Sequence, residues 1–447
     1  MTKSRGDNDA KLAPEGSLDE VVELCSELIA IDSTNTGDPA TVVGEREAAD
    51  YIKRRLDEVG LDYTLVESAD TRANIITRIA GINPDRPALL IHGHLDVVPA
   101  EPSEWSVGPF SGVIKDDYVW GRGAVDMKDM DAMMLAVLRR WKRDGVQPDR
   151  DVVFAWVADE ESGGRFGAHW LVDNHPELFA GCTEAIGEVG GFSFSIDEDT
   201  RVYPIMTGEK AIRWMKITAK GNPGHGSMLH QNNAITILSE AVARIGRHEF
   251  PIAWTQTMRQ FVSGLGDLMG TDLRAVAPEV LIDKLGPFGR IVGATLRNTA
   301  NPTMLEGGYK ANVIPSSASA TIDCRVIPGQ EEEFERQLDA LLGPDIEREW
   351  LIGDVALEFP FEHELVTAMT AALAAEDDGS KTLPFLMSGG TDAKSFSQLG
   401  MTCYGFSPLK LPSDLDFASL FHGIDERVPT EALRFGARVL DRFLLSA

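Results

Sequence analysis

Residues 89–99, LLIHGHLDVVP, constrain this chain more than any other stretch. Apolar residues lead into His92, His94 and Asp96, and a proline ends the run. In extended backbone, residues two apart point to the same face. His94 and Asp96 therefore project together where a buried strand leaves the core. A neutral imidazole can ligate a metal, and a neighbouring carboxylate can fix its tautomer or orient a base beside it. One histidine at a strand end is more often an ordinary polar or packed residue, so the reading turns on whether the rest of the chain supplies partners.

Strands and helices alternate around this stretch. Ser17-Leu18-Asp19-Glu20 has the pattern of a capping box, with a helix through VVELCSELIAI after it. A second amphipathic helix is expected over 45–59, stopped by Gly60. NIITRIAG and ALLIHGHL read as strands, 126–142 as a helix whose methionines belong to a core, and DVVFAWVADEE as a buried strand ending in acids. This alternation predicts an α/β domain with a mostly parallel central sheet. The pattern changes after Ile205. IRWMKITAKG and SASATIDCRVIPG are alternating strands, 232–247 and 330–342 helices, and DVALEFP a last strand. That order fits an inserted α+β, ferredoxin-like domain with a half-exposed antiparallel sheet. Residues 250–304 are rich in Gly and Pro, with a helix expected near 256–269 among extended loops. The α/β pattern then returns, with a helix in HELVTAMTAAL, a strand through PFLMSGGTD into a glycine turn, a strand in TCYGFSPL and a closing helix over 431–445. The expected organisation is a disordered tail over 1–16, a main domain made of 17–207 and 361–447, and an inserted domain over 208–360.

At 447 residues the chain exceeds one typical core, which agrees with two domains. Its 43% hydrophobic and 25% charged residues are those of a soluble globular protein. A net charge of -28 excludes a nucleic-acid surface, because phosphates would be repelled. It reads as an acidic, solubilising surface, with some carboxylates available to gather around cations. Cys25, Cys182, Cys324 and Cys403 are scattered in apolar stretches without a CxxC pair, so they read as core residues rather than a zinc site or a disulfide framework. The polar first residues hold no apolar signal region, and no apolar run approaches membrane-spanning length. A cytoplasmic protein is expected.

Partners for His94 do appear, each at the C-terminal end of an expected strand or in the loop after one. They are Asp126 in GRGAVDMK, the pair Glu160-Glu161 in VADEESGG, Glu188 in AIGEVGG and His422 in LFHGIDERVP. In open α/β sheets that edge is where ligands bind. Adjacent Glu160 and Glu161 would repel each other if buried without a cation. A divalent metal removes that penalty, and one Glu can ligate while the other stays a free base. A His/carboxylate shell without cysteine suits Zn²⁺, with Mn²⁺ or Co²⁺ as substitutes. Two histidines and three carboxylates hold two metals if one carboxylate bridges.

HGHLDVVP, GRGAVDMK, DEESGG, GEVGG and the late HG with ERVP resemble, in the same order along nearly the whole chain, the M20 family of dinuclear zinc metallopeptidases. That family includes aminoacylases, carboxypeptidases, dipeptidases and biosynthetic deacylases. The resemblance implies a zinc-exopeptidase-like catalytic domain and an inserted lid and dimerisation domain. It implies that His94 and Glu188 hold one Zn²⁺, Glu161 and His422 the other, and Asp126 both. Glu160 would be the general base and acid, Asp96 would orient His94, and the Asp126-Met127 peptide would be cis. His225 in GHGS resembles a lid histidine that polarises the scissile carbonyl, often across a dimer. Asn312 in KANVIP and Arg325 in DCRVIPG match positions that bind substrate carboxylate and backbone groups, and Arg can pair with a carboxylate bidentately. Gly389, Gly390 and Thr391 in SGGTDAKSF resemble a loop whose N–H groups face substrate. His92 has no matching role and reads as a packed strand residue.

The activity implied is hydrolysis of an amide that frees an amino acid from an N-acyl amino acid or small peptide. A desuccinylase or deacetylase of amino-acid biosynthesis is the alternative. A catalytically silent binding protein on the same scaffold is a rival of another class; its mark would be a lost ligand or base, and here all six residues from His94 to His422 are present.

Overall fold

A computed structural model gives the fold and describes residues 12–197, 200–273, 280 and 292–447. The chain divides into two compact units. The first takes in the chain up to Thr207 with Phe359–Phe385 and Thr391–Ala447; the second is Gly208–Glu358 with Leu386–Gly390.

The first unit is built on a sheet with the strand order Thr64–Ala69, Arg72–Ile79, Val152–Val157, Ala88–His94, Cys182–Gly187, Thr402–Gly405, Arg201–Glu209. The strands from Val152–Val157 to Thr402–Gly405 run parallel, and the strands joining at either side pair antiparallel. Ala88–His94 and Val152–Val157 are buried at every residue. Strands covered on both faces carry apolar runs, as Val152–Val157 does throughout and Ala88–His94 does as far as Ile91. The helix Lys128–Asp144 packs on Ala88–His94, and Val21–Ile29 and Thr430–Ser446 pack on that helix in turn. Met130, Met133 and Met134 are fully buried there, as core residues. Lys128 is buried too. Its ammonium donates to the carbonyls of Leu28 (3.0 Å) and Ile31 (2.8 Å), at the C-terminal end of a helix where positive charge is favoured. Burial nevertheless pushes Lys128 down to about 8. The capping box is not formed: Val21–Ile29 begins without a side-chain cap, because the Ser17 hydroxyl donates to Pro14 O (2.8 Å) in the preceding turn. The tail expected over 1–16 lies outside the described residues as far as residue 11. Leu12 and Ala13 pack against the core, and the Ala13 N–H donates to Asp441 (3.2 Å).

Asp377 joins three parts of this unit. Its carboxylate accepts from Arg201 Nε (2.6 Å), the Tyr203 hydroxyl (2.7 Å) and Lys410 Nζ (3.2 Å). Burial pushes the carboxyl up, but these donors outweigh it and hold it below the usual carboxylate range. A depressed folded-state pKa gives stability that is complete above the unfolded value of about 4 and is lost as pH falls through the folded value. Asp377→Asn is therefore expected to cost about 2–3 kcal/mol in urea unfolding at pH 7. The gap to the parent protein should close as the pH is lowered below that unfolded value; a gap independent of pH would refute the charge-based account.

The second unit holds a sheet in the order Thr299–Gly307, Ser317–Val326, Ala211–Lys220, Ile346–Gly353, antiparallel throughout. In chain order the elements run strand, helix Ala234–Arg247, strand, strand, helix Glu331–Leu342, strand. Ser317–Val326 alternates buried and half-buried residues, and its inner face packs with Leu238, Ile245, Phe334 and Leu338. The fourth strand is Ile346–Gly353, not DVALEFP, of which only Leu357–Glu358 is a strand, paired with Gly208 and Glu209. Glu347, Arg348 and Glu349 hide the alternation of this edge strand. Arg348 sits among the half-buried positions because its guanidinium lies over the Trp350 ring, 5.2 Å from the centroid, with its head paired to Asp339 and Glu335. The helix expected near 256–269 is Gln256–Met269. The loops expected after it fall partly on 274–279 and 281–291, outside the described residues. Pro302 lies in the outermost strand beside a register shift, where its missing N–H is tolerated.

Candidate metal centre

One strand end and four loops build the site at the C-terminal edge of the parallel strands. Ala88–His94 ends on His94, Val152–Val157 leads through Asp159 into Glu160 and Glu161, and Cys182–Gly187 leads into Glu188. Asp126 precedes the helix Lys128–Asp144 and is joined to Met127 by a cis peptide bond, and His422 comes from the loop before Arg427–Pro429. The loop carrying the two glutamates folds tightly back on its strand. A Cβ on Gly167 would lie 1.6 Å from the Ala158 carbonyl oxygen, so no side chain is admissible there. Asp159, Val189 and His422 hold φ values of 69°, 58° and 56°. For residues other than glycine this costs about 1–3 kcal/mol each, and such strain gathers where a site requires it.

The Asp126 carboxylate lies between two imidazoles. One oxygen is 3.1 Å from His94 Nε2 and the other 3.2 Å from His422 Nε2. His94 Nε2 is also 3.7 Å from Glu188 Oε2, and His422 Nε2 is 3.3 Å from Glu161 Oε2. His94, Asp126 and Glu161 offer donor atoms within 4.8 Å of one another, as do His94, Glu160 and Glu188. The electrostatics are those of crowded carboxylates. Burial, then the Glu188 charge, push Glu160 well above the usual range. Burial pushes Glu188 up to about 7. Burial also acts to raise Asp126, but hydrogen bonds from His422 and His94 outweigh it and hold it low. His422 is raised to about 10 by Asp126 and Glu161. Glu161 Oε1 is buried and has no hydrogen-bond partner among the described residues. A divalent cation answers all of this: it satisfies the orphaned oxygen, cancels the repulsion and takes imidazole nitrogens as ligands.

Asp96 meets several groups besides His94. His94 Nδ1 is hydrogen-bonded to the Asp96 backbone carbonyl (2.9 Å), with the carboxylate 3.6 Å away. The carboxylate instead accepts the backbone N–H groups of Glu160 and Glu161 (3.1 Å each) and the Asn35 amide (2.8 Å). Asn35 and Asp159 then link to a buried Arg72, whose guanidinium takes Glu45 through two bonds of 2.8 Å and Asp159 at 2.7 Å. Glu426 does the same for the Asp126 loop. It accepts the N–H groups of Gly123 (3.1 Å) and Val125 (2.7 Å) and pairs with Arg122 (2.8 Å). Asp159 and Glu426 sit inside the motifs that mark the site, so a signal existed for them. Arg72, Glu45 and Asn35 carry none, because their partners are distant in sequence. His92 is buried with its ring 4.7 Å from that of Phe396, and burial pushes it down to about 3, so it is neutral packing.

His225, Asn312, Arg325, Gly389 and Gly390 belong to the second unit. His225 and Asn312 come together there. Gly224–His225 pairs with Val313–Ile314, and the Gly226 N–H donates to Asn312 O (2.9 Å). The His225 Nδ1 is 2.8 Å from the Ser227 hydroxyl. Arg325 lies on the half-exposed face of the same unit's sheet, paired with Asp323. Thr391 is buried in the first unit, its hydroxyl accepting the Ala393 N–H at 3.1 Å. Beside it Asp392, which the sequence reading passed over, is buried with Oδ2 unpartnered among the described residues.

Comparison with known proteins agrees with this arrangement. The model of "Peptidase family M20/M25/M40" matches residues 90–446. A "Probable carboxypeptidase S-like 2" of Dictyostelium discoideum is 29% identical over 78% of this chain and 69% of its own length. Aminoacylase-1 of Sus scrofa is 26% identical over 89% of each chain. An M20 family metallo-carboxypeptidase from Sulfolobus solfataricus has the same fold, with a TM-score of 0.71 at 18% identity over 97% of this chain and 99% of the other. A family match across most of the chain, on a fold that brings the marked residues to one sheet edge, settles the assignment: this chain belongs to peptidase family M20/M25/M40 and is a metallohydrolase acting on amide bonds.

Proposed function

We propose that the chain releases a free amino acid from an N-acyl amino acid or small peptide, using two Zn²⁺ per subunit that Co²⁺ or Mn²⁺ can replace. The observation that carries the reading is the Asp126 carboxylate held between His94 and His422, with Glu188 beside one imidazole and Glu161 beside the other. His94 and Glu188 hold one cation, Glu161 and His422 the second, and Asp126 both. Bound there, the cations supply Lewis acidity and neutralise the carboxylates. Glu160 accepts a proton from the attacking water and returns it to the leaving amine nitrogen. Asp96 fixes the backbone from which Glu160 and Glu161 project. The second unit acts as a lid and as the contact of a homodimer, with His225 donating to the developing oxyanion. Asn312 and Arg325 take the substrate's backbone and free carboxylate, and Gly389, Gly390 and Thr391 line the same end. Among the described residues no helix is long and apolar enough to cross a membrane, which is consistent with a cytoplasmic enzyme.

Metal removal tests this directly. Dialysis against a chelator should abolish amine release from a panel of N-acyl amino acids and dipeptides, and Zn²⁺ or Co²⁺ should restore it at two equivalents per subunit. Confinement of turnover to substrates with a second carboxylate on the acyl or amine side would favour the biosynthetic deacylase. Two bound metals with no hydrolysis across the panel would overturn the enzymatic role.

A further inference from the structure

Arg325 is not free to swing. It stands on the half-exposed face of the second unit's sheet, two residues after Asp323 on the same strand and face. Its Nε donates to Asp323 Oδ1 at 2.7 Å and its Nη2 to Asp323 Oδ2 at 3.1 Å, a two-point pairing along one side of the guanidinium. Nη1 has no hydrogen-bond partner among the described residues. Both side chains keep about a quarter of their surface exposed, 24% and 28%. Across the ladder Arg325 is opposite Ile212 and Thr299, and Asp323 opposite Trp214 and Asn301, so uncharged side chains flank the pair. Lys210, two positions before Ile212, donates from its ammonium to the carbonyls of Ala294 (3.0 Å) and Arg297 (2.7 Å).

We infer that Asp323 is a positioning residue for substrate recognition: it clamps one side of the Arg325 guanidinium and presents the opposite end, Nη1 with the outer Nη2 hydrogen, to a free carboxylate. This rests on the reading of Arg325 as the carboxylate anchor. A guanidinium has five N–H donors in a rigid plane, and two are spent on Asp323. The fork that remains is planar and fixed in direction, which suits a carboxylate and leaves a carboxamide with one acceptor fewer. Without Asp323 the group rotates about its stem, and the match between fork and carboxylate is lost on average. Asp323 therefore sets the preference for a free α-carboxylate over its amide.

The test uses the metal-loaded full-length enzyme, an N-acyl amino acid and its carboxamide. Asp323→Ala should raise KM for the carboxylate substrate about tenfold, the scale of one charge-assisted bond, with kcat within about threefold and KM for the carboxamide unchanged. Asp323→Asn, which keeps one acceptor for Nε, should recover part of the loss. Arg325→Ala tests the underlying reading separately by erasing the preference for the carboxylate. If Arg325→Ala erases it and Asp323→Ala leaves KM unchanged or lower, Asp323 is only a competing anion and the inference fails alone. If Arg325→Ala leaves the preference intact, both fall. A kcat loss common to both substrates would mean a structural role and would equally overturn the inference.

Discussion

Glu160→Gln is expected to bind its metals and fold normally while losing turnover by about 10²–10⁴-fold, the range for removing a positioned proton carrier. The substitution preserves shape and removes the ability to hold a proton. Glu160 stands beside Glu188 and Glu161 in a crowd of carboxylates, and burial and the Glu188 charge already disfavour its ionised form. A neutral amide relieves that repulsion, so the metal-free variant should melt no lower than the parent. KM should change little, since the proton is moved in the transition state and not in binding. Stopped-time assays with the best panel substrate, metal analysis and a melting curve on the same preparation read all three quantities. Near-parent kcat with full metal loading would move the proton-transfer role away from Glu160. A variant that loses metal instead would make Glu160 a ligand, a possibility the proximity of donor atoms on His94, Glu160 and Glu188 makes concrete.

How far the sequence revealed this site follows from where each determinant lies. His94, Asp126, Glu160, Glu161, Glu188 and His422 are legible because each ends an apolar run or sits beside glycines, and period and punctuation are local signals. The parallel sheet is legible for the same reason, since Val152–Val157 is an unbroken apolar run and Ala88–His94 opens on one, Ala88 to Ile91. The edge strand Ile346–Gly353 is not, because only one of its faces is covered and Arg348 covers that face with its stem. Asp96 shows the sharper limit. A carboxylate two residues after a histidine points to the same face, and from that alone it is read as the histidine's partner. Which acceptor His94 Nδ1 takes depends on how the chain turns at Leu95, and it takes the Asp96 carbonyl. Which donors the carboxylate finds depends on a loop more than sixty residues away. Arg72 and Glu45 are hidden altogether, a bidentate pair joined across the fold whose residues resemble ordinary surface charges in the sequence.

The contacts of Asp96 give the second large effect. Asp96→Ala removes an acceptor used by the N–H groups of Glu160 and Glu161 and by the Asn35 amide, all in buried or half-buried surroundings. Stranding such donors should lower stability by about 3 kcal/mol, and the loss of outer support should weaken metal binding by about 10–100-fold. The turnover defect should exceed the metal defect, because the same carboxylate holds the backbone of both Glu160, the proposed proton carrier, and Glu161, a proposed ligand. Excess Zn²⁺ is therefore expected to refill the site and to restore only part of kcat. Asp96→Asn keeps one oxygen for a backbone N–H and should fall between. A carboxylate acting through His94 alone makes the opposite forecast. His94 already has its Nδ1 partner in a backbone carbonyl, which neither substitution removes, so on that account saturating metal would return full activity. Titrating kcat against free Zn²⁺ in the three proteins separates the two: a plateau below the parent places Asp96 under Glu160, and a plateau at the parent value places it under His94.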